Sequence, residues 1–165
     1  MSNTSAVAAA IFRDEFIVPA TAIDANGHVN NVVFVQWMQD VATRHFESAG
    51  CAEAMRNASA IWVVRSHTIE YLGPAFAGDR LRANTWVVNF SRVRSLRRYQ
   101  FARASDGKLL VRRETDWVLV NAATGRPCSI PESIQRAFVL VDEAAGVWQG
   151  TTPRPDSPAT GSGAR

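Results

Sequence analysis

The hydrophobic period of the chain changes near residue 32 and again near residue 60. Over residues 11–23, IFRDEFIVPATAI, apolar and polar positions nearly alternate, which predicts a strand that ends where Asp24 begins. From Val32 the period becomes helical. Phe34, Trp37, Met38, Val41, Ala42, Phe46 and Ala49 recur at steps of three and four, and Val33 and Val35 widen the stripe. The pattern predicts a helix over 32–49 that is apolar around most of its circumference. Asn30 or Asn31 is placed to cap it, because an Asn side chain accepts a bond from the unpaired N–H groups of a first turn. Gly50 is placed to end it in the left-handed conformation.

After a short helical or irregular stretch at 52–58, the alternation returns and persists. AIWVVRSHTIEYL is rich in β-branched and aromatic residues, GPAFAGD is a link, and RLRANTWVVNF alternates. SLRRYQFARA and LLVRRETDWVLV flank Ser105-Asp106-Gly107-Lys108, where Asp-Gly predicts a hairpin turn. ATGRP is a further turn, and Pro131 suits the start of a short closing helix in IPESIQRAF. The order is strand, long helix, about four antiparallel strands, small helix. Nothing but a curved sheet is available to cover so apolar a helix, so the expected fold is α+β, one helix wrapped by one antiparallel sheet. A single sheet leaves edges, and pairing with a second copy is a natural way to satisfy them.

At 165 residues, nearly half of them apolar, the chain fits one domain, expected over 11–149. Residues 150–165 are Pro-, Gly-, Ser- and Thr-rich and cannot bury enough surface to order themselves, so this tail and residues 1–10 are expected to be flexible. MSNTSAVAAA has no cationic leader pattern and no apolar run is long enough to span a bilayer, giving an expectation of a cytoplasmic chain with no membrane partner. Cys51 and Cys128 stand apart without CxxC spacing, which suggests neither a disulfide framework nor a metal site.

The net charge is only +3, yet Arg92, Arg94, Arg97, Arg98, Arg103, Lys108, Arg112 and Arg113 fall in two adjacent segments. Such a cluster either solvates the outer face of a sheet or meets a polyanion, a nucleic acid or a phosphate-bearing small molecule.

The chemistry concentrates in Asp24-Ala25-Asn26-Gly27-His28-Val29-Asn30-Asn31. Asn-Gly is ordinary turn material, and an Asn before a helix is an ordinary cap. Neither role needs His28 or Asp24. A carboxylate, an imidazole and amide donors before a helix N-terminus are the parts of an acyl-transfer site, where backbone N–H groups hold a developing oxyanion. The carboxylate can attack a carbonyl or take a proton from water, and these residues leave both open. No GxSxG, P-loop, HExxH or GxGxxG context supports a serine hydrolase, NTPase, zincin or dinucleotide enzyme.

DANGHVNNVVFVQWM resembles the signature loop and helix start of hotdog-fold thioesterases of the 4-hydroxybenzoyl-CoA thioesterase-like superfamily. It is especially similar to the D-x-N-x-H-V-N-N segment of plant acyl-ACP and bacterial long-chain acyl-CoA thioesterases. HTIEYLGPAFAGDRL resembles the strand-turn-strand segment that follows the helix there, and the resemblance covers roughly residues 12–140. It implies a hotdog fold, with Asp24 as nucleophile or general base and Asn26 and His28 also in the catalytic set. Amides around Asn30, Asn31 and Val32 would then form the oxyanion position. The helix carries Gln36, Gln39, Asp40 and Glu47 but no Glu where some members use one, which favours Asp24. The expected activity is hydrolysis of an acyl-CoA, with acyl-ACP as the other donor, without metal or cofactor beyond the coenzyme A of the substrate. Arg92, Arg94 and Arg97 are the candidates for its phosphates, because they lie at a strand end and turn where the mouth of a groove is expected. A homodimer or homotetramer would supply the second hotdog half found in the plant enzymes and put the site at the subunit interface. A non-catalytic hotdog that binds acyl thioesters is the alternative. Nucleic-acid binding and hydratase chemistry rank below both.

Overall fold

A computed structural model describes residues 10–142. Its elements are β1 (Phe12–Ile17), α1 (Asn31–Ser48), α2 (Ala52–Ala58), β2 (Ala60–Tyr71), β3 (Arg80–Phe90), β4 (Arg94–Arg103), β5 (Leu109–Asn121) and α3 (Glu132–Ala137). The strands form one antiparallel sheet in the order β1-β3-β4-β5-β2, curved around α1 in the expected hotdog arrangement. Register shifts in β2, β3 and between β4 and β5 mark bulges, which add the bend that a sheet needs to wrap a helix. Of the expected tails, residues 1–9 and 143–165 lie outside the described residues.

The first strand is shorter than the alternation predicted. It ends at Ile17, and a 3-10 turn over Ala20–Ala22 follows. Pro19 is the reason, since it has no N–H to continue a ladder. The helix begins one residue earlier than the apolar stripe, with Asn30 as its cap: Asn30 Oδ1 accepts from Val32 N at 3.0 Å. Gly50, at φ +71°, follows the helix as expected, and Gly107, at φ +70°, makes the predicted hairpin turn.

Two apolar clusters divide the space between α1 and the concave face of the sheet. Phe34, Met38 and Val41 pack with Leu81, Phe101 and Leu110 at the first half of the helix. Near its end, Phe46 meets Val87, Leu119, Ile134 and Phe138, so that α3 closes that side. On the opposite face of the sheet, Trp86 and Val88 are covered by Ala10 and Val141.

Between the two apolar clusters the concave face is polar. Arg97, Tyr99, Arg113 and Thr115 are all buried there, and the cross-strand register puts Arg97 opposite Thr115 and Tyr99 opposite Arg113. Arg97 Nη1 donates to Nδ1 of His45, from α1, at 2.8 Å and to Thr85 Oγ1 at 3.2 Å. An arginine only donates, so His45 accepts through Nδ1 and is neutral. Burial, reinforced by the Arg97 charge, lowers the His45 pKa to about 4. His67, bonded to Thr115 Oγ1 at 2.9 Å, is lowered by the same causes, burial and then Arg113.

Filling and polarity of this core generate two expectations. Met38 is 1% exposed, so Met38→Ala should cost roughly 2–5 kcal/mol in urea unfolding, whereas Met38→Leu, which keeps the volume, should cost less than about 1.5 kcal/mol. His45 binds a proton less readily folded than unfolded, so its contribution is complete above pH 6.5 and is lost as pH falls through about 4. Across that window wild type should lose up to about 3 kcal/mol relative to His45→Gln, measured as the pH dependence of the unfolding free energy of both proteins.

Candidate functional site

The loop between the 3-10 turn and α1 is built by its own backbone. Ile23 bridges Val29, Asp24 N donates to His28 O at 3.0 Å, and Gly27 N donates to Asp24 O at 3.0 Å. This closed turn needs the left-handed conformation at one position, and Gly27 takes it at φ +84°. Asp24 Oδ1 accepts from Asn26 N at 2.8 Å, an Asx turn that fixes the carboxylate. Two anchors join the loop to the sheet: Val29 N donates to Ala75 O at 2.9 Å, and the Tyr71 hydroxyl donates to Asn31 O at 3.0 Å.

The loop brings Asp24 and His28 to the same side, with His28 Nδ1 4.0 Å from Asp24 Oδ1. Their side chains are 25% and 43% exposed, within reach of solvent and of a ligand. The His28 ring lies edge-on to Phe76 at 6.5 Å between centroids. Asn26, Asn30, Asn31 and Val32 are exposed. Of the backbone donors at the helix start, Asn30 N is used by Ala22 O at 2.9 Å and Val32 N by the Asn30 side chain. Asn31 N bonds to nothing among the described residues, which leaves one free donor at the positive end of α1. The set amounts to a carboxylate held by an Asx turn, an imidazole 4.0 Å from it, and a free N–H at the start of a helix. Such a set can activate water or attack a carbonyl, and can hold the oxygen that becomes negative. No group of His, Cys, Asp and Glu that could hold a metal occurs among the described residues.

The three candidate arginines do not form one cluster, because residues three apart on a strand point to opposite faces. Arg92 is exposed before β4. Arg94 lies on the convex face and bonds both oxygens of Asp116, Nε at 3.0 Å from Oδ1, with Arg65 joining at 3.0 Å. Burial pushes the Asp116 carboxyl up, but these bonds more than reverse it and hold it below its ordinary range. Arg97 is not at an open mouth, as expected from its nearness to a turn, but on the concave face at 6% exposure. Of the other arginines of the cluster, Arg98 pairs with Glu114 at 2.9 Å and Arg112 with Glu70 at 2.9 Å on the convex face, Arg103 pairs with Asp79 at 3.1 Å and Asp106 at 2.9 Å beside the hairpin turn, and Arg113 is buried on the concave face. The expectation of a charged outer face therefore accounts for Arg94, Arg98 and Arg112, but not for Arg97 or Arg113.

Sequence reasoning missed a cavity of about 560 Å³ under the second half of α1, whose wall includes Arg97, Ser95, Trp62 and Trp117. No residue of the Asp24 loop lines it. The available signal was alternation: Arg97 and Arg113 share parity with Tyr99, Phe101, Val111 and Leu119, all on the buried face. His45, on α1, is the partner of Arg97.

Comparison with known proteins agrees with this architecture. A family model described as the thioesterase-like superfamily matches residues 18–138. A chloroplast acyl-acyl-carrier-protein hydrolase of Cuphea viscosissima is 24% identical over 133 residues, 76% of this chain and 32% of that one. The L-carnitine dehydrogenase/betainyl-CoA thioesterase of Ruegeria pomeroyi is 28% identical over 129 residues, 77% of this chain and 26% of that one. The chain thus spans about a third, or less, of the length of these relatives. Among solved structures, a 1,4-dihydroxy-2-naphthoyl-CoA thioesterase from Synechocystis has a TM-score of 0.70 at 22% identity, covering 77% of this chain and 94% of its own. A Staphylococcus aureus protein solved in complex with CoA has a TM-score of 0.72 at 20% identity, covering 88% and 90%. The 12:0-ACP thioesterase of Umbellularia californica has a TM-score of 0.72 at 20% identity, covering 91% and 58%. At these identities the structures speak for the fold alone. With a single family model spanning β2 to β5 and the Asp24 loop, the chain belongs to the thioesterase-like superfamily.

Proposed function

We propose that the protein hydrolyses acyl thioesters, with Asp24 as the carboxylate on which the reaction depends. The observation that carries this reading is the loop itself: in a chain of this superfamily, Asp24 is held by the Asn26 amide with His28 4.0 Å away at the start of α1. Either the carboxylate takes a proton from water as the water oxygen attacks the thioester carbon, or it attacks that carbon and the resulting anhydride is hydrolysed. In both, carbon–sulfur cleavage releases the thiol, one water is consumed, and a free acid forms. Asn31 N is the donor for the tetrahedral oxygen, and its place on the helix axis favours negative charge there. Asn26 contributes through its backbone, and His28 through a water-mediated or direct contact with the departing sulfur.

Acyl-CoA is the favoured donor and acyl-ACP the other, since both present the same pantetheine arm. A Staphylococcus aureus protein of like fold was solved with CoA, which supports the first. Among the described residues no helix is long and apolar enough to cross a membrane, in keeping with a substrate delivered from water. β2 is a 12-residue edge strand with Ile61 49% and Val63 37% exposed, a surface suited to a second copy. Antiparallel pairing of two β2 strands about their midpoints sets the Tyr71 end of one, with its hold on Asn31, opposite the Val63 side of the other. The site then lies at a subunit interface.

A non-catalytic acyl-thioester binder is the second reading, favoured by the incomplete Asp24–His28 contact of 4.0 Å. Thiol release from a panel of acyl-CoAs separates the two. Wild type is expected to turn over at least one thioester, and Asp24→Asn, which keeps the Oδ1 acceptor of the Asx turn, to lower kcat by on the order of a hundredfold or more with little change in the unfolding midpoint. Binding without turnover would leave the second reading. Sedimentation should find a dimer or tetramer, and Val63→Lys on the edge strand should shift it toward monomer.

A further inference from the structure

Among the described residues, the concave face of the sheet carries positive charge with no acid bonded to it. Arg97, 6% exposed, donates through Nη1 alone, and both its acceptors, His45 Nδ1 and Thr85 Oγ1, are neutral. Arg113, 1% exposed and one diagonal step away across β4 and β5, has no hydrogen-bond partner at any of its three nitrogens among the described residues. The acids of the neighbouring strands, Glu70, Glu114 and Asp116, are engaged by Arg112, Arg98 and Arg94 on the other face. Guanidinium groups keep their charge even where burial lowers the pKa, as it does for both residues. A buried charge without a counter-ion is costly, and the ordinary reason to keep one is a ligand that completes it.

Arg97 is also the charged member of the cavity wall. The rest of that wall is largely apolar, with Phe46, Trp62, Val87, Trp117 and Phe138 among its residues, and Ser95 adds a hydroxyl beside Arg97. Such a lining suits a hydrocarbon chain or ring that ends in a single acceptor group. It does not suit the strongly hydrated phosphates of a nucleotide. The helix residues over the cavity, Gln39 to Phe46, stand about 12–22 Å along the helix axis from Asn31. Within one chain the cavity is thus set off from Asn31 by a distance that an extended acyl chain can span.

We propose that the cavity holds the far end of the acyl group, and that Arg97 selects acyl groups ending in a carboxylate, the monothioesters of dicarboxylic acids. This inference rests on the hydrolase reading above. Two guanidinium N–H groups directed at one carboxylate would give a charge-assisted, bidentate contact. Arg113, which a ligand cannot touch in this arrangement, adds its charge from one step behind. A methyl-terminated chain of the same length would displace whatever solvates Arg97 and give nothing back, and a cationic terminus would be repelled.

The test compares kcat/KM for matched pairs of acyl-CoAs of increasing length, one of each pair ending in methyl and the other in carboxylate, on the full-length wild type, Arg97→Met and Arg97→Lys. At the best length, wild type should prefer the carboxylate member by at least about tenfold. Arg97→Met should abolish that preference, and Arg97→Lys should keep part of it, so a poorly folding Met variant would not end the test. A wild-type preference for the methyl member at every length, or a carboxylate preference that survives Arg97→Met, would overturn the proposal. If wild type cleaves no thioester, the hydrolase reading fails, and calorimetric binding of the free dicarboxylate and monocarboxylate decides this one. Tighter dicarboxylate binding that depends on Arg97 would support it, and equal or absent binding would overturn it. Adenosine 3′,5′-bisphosphate serves as the nucleotide control: binding that is lost in Arg97→Met, without any acyl preference, would assign Arg97 to the coenzyme end and overturn the proposal.

Discussion

The apolar stripe of an 18-residue helix has to be covered, and among the described elements only the sheet is broad enough to cover it. The helix α2 has no buried residue and α3 has six residues, so neither can cover the stripe of α1. The sheet must therefore bend, which the bulges in β2 and β3 and between β4 and β5 supply. Bending around one helix uses up the concave face and leaves the two edges, β1 and β2, unpaired in the single chain. It also fixes where the helix starts. Asn31 is tied to the end of β2 through Tyr71, and Val29 to the β2–β3 link through Ala75, so the loop between them has little freedom. The position of Asp24 is thereby a consequence of how the helix is wrapped.

The same wrapping makes the polar layer costly. A helix laid on a sheet expels water from every residue between them, whatever its type. His45 and Arg97 answer each other, and His67 and Thr115 do likewise. The Tyr99 hydroxyl and Trp117 Nε1 lie near one another and near Thr115 but close no aligned bond, and Arg113 closes none. Replacing such groups by apolar residues of similar volume is commonly neutral or stabilising, so stability alone does not account for them. The convex face gives the contrast. There Arg94, Arg98 and Arg112 each meet a carboxylate across the ladder, an arrangement that any half-solvated antiparallel sheet favours. Charges of one type along one strand pair thus divide between solvent-facing support and an interior layer.

That division explains what the sequence could and could not reveal. The loop was legible because its bonds are local: the Asx turn spans Asp24 to Asn26, the cap spans Asn30 to Val32, and Gly27 lies between. The long helix was legible for the same reason, as its stripe is a matter of spacing. Pro19 shortened β1, a signal present in the sequence but overridden by the alternation around it. Arg97 was harder. Its face follows from parity with Phe101 and Tyr99, yet proximity to the Ser91–Arg94 turn suggested an exposed strand end. The cavity was not legible at all, because it depends on how α3 and the edge of β2 close over the helix end, and no local pattern encodes that distance.

The loop and the cavity lie at different points along one helix, and that separation bears on how such a fold can change its substrate. The Asp24 loop is held by backbone bonds, one glycine and the side-chain bonds of Asp24, Asn30 and Tyr71, none of them from the cavity wall. The cavity wall, in contrast, is made of side chains from α1, β2, β3, β4, β5 and α3, each replaceable without touching the loop. On the proposed reading, substitutions there would alter volume and polarity at the acyl end and leave the Asp24 carboxylate and the helix start as they are. A buried arginine is the strongest such substitution available, because it changes which chemical class is tolerated and not only what length fits. Its cost falls on the core between α1 and the sheet, which the two apolar clusters on either side hold together.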